Sequence, residues 1–189
     1  MLRLVDVDLP LEPLPAGSER YTEGPHSVFE EQVLFALFKR YAGEVAVEIG
    51  TALGYRSQLL LAAGFNSVYT VDVEPCKRQL PVGIAQIVGN SLTTTLPHML
   101  YGTTDLVFID GNHSRIHVAA DTRLAHSLVR AGGIIIWHDV FVPFHQVKCW
   151  GNDPTGHIGK SEVAEFLHLD YPYTVNVYKG TTIGWLKVG

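Results

Sequence analysis

The sequence predicts an α/β fold, a doubly wound and mostly parallel seven-stranded sheet with an antiparallel hairpin at its C-terminal end. Three observations carry that expectation. The run Val45-Ala46-Val47-Glu48-Ile49 is almost continuously apolar, as a strand covered by helices on both faces reads. It breaks at Gly50 and Gly54, where missing side chains permit the geometry of a ligand-binding turn. Strand-like and helix-like stretches then alternate along the chain, the pattern of parallel strands joined by helical crossovers.

The elements follow in order. Residues 1–26 are rich in Pro, Gly and acids and read as an irregular leader, ahead of one domain over 27–189. Ser27 and Glu30 have capping-box spacing, and Val33, Leu34, Leu37, Phe38 and Tyr41 form an apolar stripe at helical spacing. Strand 45–49 and its glycine turn lead to a helix through 58–63 that stops at Gly64. Strands are expected at 67–73, 84–88 and 106–109. A helix over roughly 115–130 would end at Gly132-Gly133, and strand 134–137 closes on His138-Asp139. An irregular stretch to about 160 precedes a helix near 161–168, with Ser161 as N-cap. Segments 174–178 and 182–187 flank Lys179-Gly180-Thr181 as a hairpin that places an antiparallel strand at the sheet edge.

Composition narrows the function classes. The chain has 189 residues, 47% hydrophobic and 17% charged, with a formal net charge of -5. That suits one globular domain. No dense Lys/Arg run is present, which argues against nucleic acid as a partner. The longest purely apolar stretches, such as 33–38, are too short to span a membrane. Asp6, Asp8 and Pro10 are unlike a signal peptide. Two cysteines, Cys76 and Cys149, cannot build a disulfide framework and read as reduced thiols. A cytoplasmic location is the expectation.

Acids gather where the strands end. Glu48, Asp72 and Asp110 close three of them, and His138-Asp139 closes a fourth. Ligands of open α/β sheets bind at those carboxyl ends. The turn Gly50-Thr51-Ala52-Leu53-Gly54 lacks the middle glycine that lets backbone approach a pyrophosphate, and Glu48 would repel one. Asp72 lies 22 residues after Gly50, the usual distance for an acid that accepts from a ribose hydroxyl. An adenosine with a cationic amino acid tail and no phosphate meets both conditions, and S-adenosylmethionine (SAM) is such a ligand.

The stretch Glu48-Ile49-Gly50-Thr51-Ala52-Leu53-Gly54-Tyr55 resembles motif I of the class I SAM-dependent methyltransferases, and Tyr69-Thr70-Val71-Asp72 resembles their motif II. Phe108-Ile109-Asp110-Gly111-Asn112-His113-Ser114 and Ala131-Gly132-Gly133-Ile134-Ile135-Ile136-Trp137-His138-Asp139 are similar to a narrower branch. That branch holds small O-methyltransferases, among them macrolide-sugar and cephamycin-pathway enzymes, with catechol-type relatives. The resemblance covers about residues 27–187 and implies the Rossmann-like fold of that family. It places Glu48 at the methionine amino end of the cofactor, directly or through water. Gly50, Thr51, Ala52 and Gly54 would wrap the cofactor, followed by Tyr55 and Ser57. Asp72 with Val73 would meet the ribose, Asn90 and Ser91 the adenine, and Asp110 would complete the cofactor set. Relatives often carry Ser then Thr after Gly-Tyr, whereas Arg56 precedes Ser57 here; Arg56 would then supply a charge-assisted contact instead.

Asp110 and Asp139 end adjacent strands and face one crevice, the arrangement by which carboxylates share a cation such as Mg²⁺. The catechol-type enzymes carry an Asp-Asn pair where this chain has His138-Asp139, and a His ligand suits Mn, Zn or Fe better. Asp110, His138 and Asp139 are the candidate metal ligands; the alternative has them hydrogen-bond their neighbours with no metal. His113 stands where the catechol-type relatives carry a catalytic Lys and is the candidate base, beside Asp110; otherwise it is a helix-start residue bonded to Asp121 or backbone. His117, His98, His126 and His168 read as structural, and His145 and Trp150 as acceptor contacts in a loop over 140–160. That loop, the leader or a second subunit of a homodimer would grip the acceptor. The reading is a SAM-dependent O-methyltransferase for a hydroxylated small molecule (a sugar, phenol or secondary metabolite), with divalent-metal assistance. The alternatives are a metal-free or N-/C-methyltransferase, a hydroxylase-like cephamycin relative, and a non-catalytic SAM- or adenosine-binding protein.

Overall fold

The computed structural model describes residues 1–15, 28–140 and 161–189. Its elements run β1 (Leu2–Val5), α1 (Val28–Arg40), β2 (Val45–Ile49), α2 (Tyr55–Ala63), β3 (Ser67–Asp72), β4 (Ile84–Val88), a 3-10 turn (His98–Leu100), β5 (Thr104–Ile109), α3 (Arg115–Leu128), β6 (Val129–Trp137), α4 (Glu162–Leu169), β7 (Val175–Tyr178) and β8 (Gly184–Lys187). One sheet holds all eight strands in the order β1-β7-β8-β6-β5-β2-β3-β4. From β6 through β4 every pairing is parallel, and β8 runs antiparallel to both β6 and β7. The chain winds outward from β2 through β3 to β4, then returns to add β5 and β6 on the other side of β2. The reversal between β2 and β5 is the topological switch point, where open α/β sheets bind ligands.

Strand alternation builds a core on each face of the sheet. Val47, Ile49, Val107, Ile109, Ile135 and Trp137 point to one face and pack with Val118, Ala125 and Leu128 of α3 and Val163 and Leu167 of α4. Ala46, Leu106, Phe108, Ile134 and Ile136 point to the other and pack with Val33, Leu34, Leu37 and Phe38 of α1 and Leu59 and Leu60 of α2. Burial on both faces is why β2, β5 and β6 read as unbroken apolar runs. The fully buried Trp137 satisfies its indole N–H on Thr122 Oγ1 of α3 at 3.0 Å. Among the described residues, no helix is long and apolar enough to cross a membrane.

Three boundaries differ from the sequence reading. The sheet has eight strands rather than seven, because Leu2–Val5, assigned to an irregular leader, pairs in parallel with β7 from Leu2↔Val175 to Val5↔Tyr178. Its hydrogen-bonding partner lies more than 170 positions away, so a four-residue strand leaves little local signal. The hairpin therefore does not form the edge: β8 lies between β6 and β7, and β1 covers β7. Helix α3 ends at Leu128, and the chain enters β6 before its two glycines. Between the pairs Thr104↔Val129 and Leu106↔Ile134, β6 advances five residues against two on β5, a bulge that Gly132 permits with φ +79. The rest of the leader (16–26), the Ser27 cap and the loop over 141–160 with His145 and Trp150 lie outside the described residues. Ser161 does cap α4, accepting from the Ala164 N–H at 3.0 Å.

Asp105 ties the start of β2 to that bulge. It accepts from the Val45 N–H at 2.9 Å and from Arg130 Nε at 2.7 Å. Asp105→Ala leaves a backbone N–H of the central strand without its partner. We expect a loss of about 1–3 kcal/mol, read as a lower denaturant midpoint at unchanged m-value.

Candidate functional site

At the switch point the Gly50 N–H donates to the Val71 carbonyl and the Asp110 N–H to the Ile49 carbonyl, each at 2.8 Å. A Cβ at Gly50 would stand 2.2 Å from the Asp110 carbonyl oxygen, and Gly50 itself has φ +104. Only glycine lets the two chains approach so closely. The turn then passes through Ala52 at φ +44, a left-handed conformation that an L-residue adopts at a cost. Asp72 holds it there, accepting from the Ala52 N–H at 2.9 Å.

Beside this turn lies a cleft of about 330 Å³, within the range of small-molecule sites. Gly50, Ala52, Asp72, Val73, Asn90, Ser91 and Asp110 line it, together with residues the sequence reading left out of the cofactor set, among them Asn112, His117 and Asp121. Glu48, Thr51, Gly54, Tyr55 and Ser57 do not line it. Glu48 points to the opposite face of β2, 1% exposed. It accepts a short hydrogen bond from the Ser57 hydroxyl and one from Thr70 Oγ1 at 2.9 Å, and Thr70 in turn meets Thr51 Oγ1 at 2.6 Å. The acid that ends the strand thus braces the turn from beneath. Burial pushes its carboxyl from 4.5 up to about 8, against the two hydroxyl hydrogen bonds.

Asp110 is the shared wall between this cleft and a half-buried cluster of charge. Arg56, one residue into α2, donates to Asp110 Oδ2 at 2.5 Å and to Glu31 Oε1 of α1 at 2.8 Å. His138 is fully buried, with Nδ1 3.2 Å from both Asp110 Oδ1 and Asp139 Oδ2 and Nε2 3.4 Å from Glu30 Oε1. His113 Nε2 lies 3.7 Å from Asp110 Oδ1 and 3.5 Å from Asp139 Oδ2. Burial works against every charge here. It would raise the Asp110 carboxyl, but Arg56 and His138 outweigh it and hold that group well below the carboxylate range. Burial and Arg56 oppose protonation of His138, yet Asp110 and Asp139 hold it well above the ordinary imidazole value. Asp110 also raises His113 above 6.5, against burial, and Asp139 adds to the effect.

The proposed catalytic pair, His113 and Asp110, is therefore brought together. The expected metal set is brought together in part. Asp110, His113 and Asp139 offer one ligand atom each, all within 4.8 Å of one another, and His138 stands beside them with Nδ1 3.2 Å from the same two carboxylates and Nε2 toward Glu30. Asp139 reaches the cluster from a left-handed backbone, φ +52. Glu30 and Glu31 were not legible as site residues, since a charge on a helix usually marks a solvated face. Arg56, expected to make a charge-assisted contact with the cofactor, meets Asp110 and Glu31. His117, read as structural, lies in the cleft wall with Nδ1 2.7 Å from Ser114 Oγ. His126, read the same way, meets the Tyr171 hydroxyl at 2.5 Å, away from the cleft.

The topology and the switch-point cleft together define a Rossmann-like α/β domain. Residues 47–140, which carry the cleft and the cluster apart from Glu30 and Glu31, match the family model described as a methyltransferase domain, Methyltransf_24. No curated protein matches the chain. Among solved structures, the chain is similar to the MycE methyltransferase of the mycinamycin biosynthetic pathway, in complex with Mg, SAH and mycinamycin VI. Identity is 18% and the TM-score 0.63, over 97% of this chain and 56% of that one. The chain thus spans little more than half of MycE. It is similar as well to a putative caffeoyl-CoA O-methyltransferase from Staphylococcus aureus, at 15% identity and TM-score 0.60 over 93% of both chains. A third is the O-methyltransferase TomG from Streptomyces achromogenes, involved in tomaymycin synthesis and solved with SAM, at 18% identity and TM-score 0.54 over 92% and 87%. At these identities the likeness is one of fold.

The raised Glu48 carboxyl sets a pH dependence. It is neutral in the folded protein and ionised in the unfolded chain between pH 4.5 and about 8. Its contribution to stability is complete below 4.5 and is lost as pH rises through 8. Glu48→Gln should flatten that decline, so the melting-temperature difference, variant minus parent, rises from pH 5 to pH 8 in ligand-free protein.

Proposed function

We propose that this protein transfers a methyl group from SAM to a hydroxyl of a small molecule, with His113 as the base. The observation that carries the reading is the adjacency of the two halves of the site. Asp110 lines a cleft of cofactor size and also stands beside His113, an imidazole flanked by two carboxylates. The methyltransferase domain over 47–140 and the fold likeness to O-methyltransferases support it.

The cleft suits the cofactor's chemistry. Asp72 presents a carboxylate at the carboxyl end of β3, where ribose hydroxyls can donate to it. The tight Gly50 turn lets backbone approach the ligand without a side chain between them. SAM supplies a methyl carbon bound to a positively charged sulfur, which leaves with the electron pair of the broken C–S bond as the acceptor oxygen forms the new C–O bond. The protein's part is alignment and deprotonation. His113, 40% exposed in its side chain, takes the hydroxyl proton on Nδ1, while Nε2 keeps its proton toward Asp110 and Asp139, which flank the resulting imidazolium. Arg56 and His138 keep Asp110 ionised for that purpose. Thr182, Glu30 and His138 form a buried brace behind the cluster, the Thr182 N–H donating to Glu30 Oε2 at 2.6 Å.

The donor set at Asp110, His113 and Asp139 fits a divalent cation: two carboxylates and an imidazole converging within 4.8 Å. Asp110 and Asp139 would hold it while His113 remains the base, since an imidazole nitrogen that ligates a metal cannot also take a proton. A bound cation would acidify and orient the acceptor hydroxyl.

His113→Ala should lower kcat by about 10²–10⁴-fold while SAH affinity, measured by calorimetry, stays within about threefold of the parent. An unchanged rate overturns the assignment. Because the base form is neutral and the imidazole is raised, kcat/KM should rise with pH through an inflection above 6.5, and Asp139→Asn should move that inflection down. Exhaustive chelation tests the cation separately: activity lost and restored by Mg²⁺ or Mn²⁺ supports it, and undiminished activity removes it.

A further inference from the structure

Arg56 sets a permanent positive charge against one of the carboxylates that would hold a cation. A guanidinium stays charged at any pH a folded protein tolerates. Its Nη1 donates to Asp110 Oδ2 at 2.5 Å and its Nη2 to Glu31 Oε1 at 2.8 Å. The side chains of Arg56, Glu31 and Asp110 are 15%, 1% and 14% exposed, so water and salt screen these charges little. The Phe108 ring adds a third support, with its centroid 6.0 Å from the guanidinium carbon.

The same carboxylate is a shared ligand of the candidate cation site. Asp110 Oδ1 lies 3.7 Å from His113 Nε2 and 3.2 Å from His138 Nδ1. Asp139 Oδ2 lies 3.5 Å and 3.2 Å from those two nitrogens. With Oδ2 of Asp110 committed to Arg56, a cation finds a single oxygen of that group, one carboxyl away from a fixed like charge. Hard divalent ions are held by carboxylate charge, and Arg56 already neutralises one of the two carboxylates. Nor can Arg56 step aside freely, because Glu31 would then be buried without its counter-charge.

We propose that Arg56 sets the cation affinity of this site: it competes with a divalent ion for Asp110 and keeps the ion loosely held and exchangeable. This rests on the cation reading given above. An ion that binds does so through Asp139 and the one oxygen of Asp110 that Arg56 leaves open.

Calorimetry with Mn²⁺ alone, on the ligand-free protein, tests this. Arg56→Gln removes the charge and keeps a donor for Asp110; it should bind Mn²⁺ about 10–100-fold more tightly than the parent, the range over which outer groups tune a metal site. Arg56→Lys keeps the charge and should stay within about threefold of the parent, which separates charge from lost packing. Asp139→Asn added to Arg56→Gln should abolish the gain, which locates the ion. If Arg56→Gln folds poorly, far-ultraviolet circular dichroism is the readout, and Mn²⁺ should restore folding by taking over the counter-charge. Equal affinity in the parent and Arg56→Gln, an equal gain in Arg56→Lys, a gain that survives Asp139→Asn, or a poorly folded Arg56→Gln that Mn²⁺ does not restore overturns the proposal. In the first of these cases, loss of the parent's own binding in Asp139→Asn leaves the cation reading intact. Binding by neither the parent nor Arg56→Gln overturns the cation reading, and the proposal with it.

Discussion

The approach of Gly50 to the carbonyl of Asp110 is the constraint from which the rest of the carboxyl edge follows. A side chain at position 50 would sit 2.2 Å from that oxygen. Contact this close brings the turn after β2 and the loop after β5 together over the switch point. Ala52 pays for the geometry with a left-handed backbone, and the Asp72 hydrogen bond offsets that cost. Glu48 braces the same turn from the far face of the sheet, through Ser57, Thr70 and Thr51. Cofactor cleft and structural support are therefore two sides of one strand end.

Asp110 then couples the cleft to the chemistry. Four carboxylates (Glu30, Glu31, Asp110 and Asp139) meet one guanidinium and two imidazoles in a half-buried cluster. Such groups are expensive to bury unless each finds an opposite charge or a donor. Arg56 answers two of the acids at once. His138 lies among three, Asp110 again together with Glu30 and Asp139, and serves as an internal counter-ion. His113, the more accessible imidazole, turns Nε2 to Asp110 and Asp139 and leaves its other edge to the outside. The division of labour between the two histidines follows from burial, with the inner one charged and fixed and the outer one able to exchange a proton.

Much of this was legible in the chain, and for identifiable reasons. Continuous apolar runs at 45–49 and 134–137 announced strands buried on both faces, and the acids at 48, 72, 110 and 139 marked their ends. Ala52, in place of a middle glycine, and Glu48 spoke against a pyrophosphate before any geometry was known. The strand at Leu2–Val5 was missed because its pairing partner is at the other end of the sequence. The end of α3 was misplaced because glycines at 132 and 133 signal a break equally well in a helix and in a bulged strand.

What the sequence by itself determined was local and periodic: the fold class, the strand ends and the identity of the groups gathered there. What only the tertiary structure decided was the direction each group faces. Strand alternation turned Glu48 away from the cleft, helix packing swung Arg56, Glu30 and Glu31 into the cluster, and α3 delivered Asp121 to the cleft floor. The physical reason is that a side chain's chemistry is written at its own position, whereas its partners, its burial and therefore its charge state are supplied by residues distant in the chain.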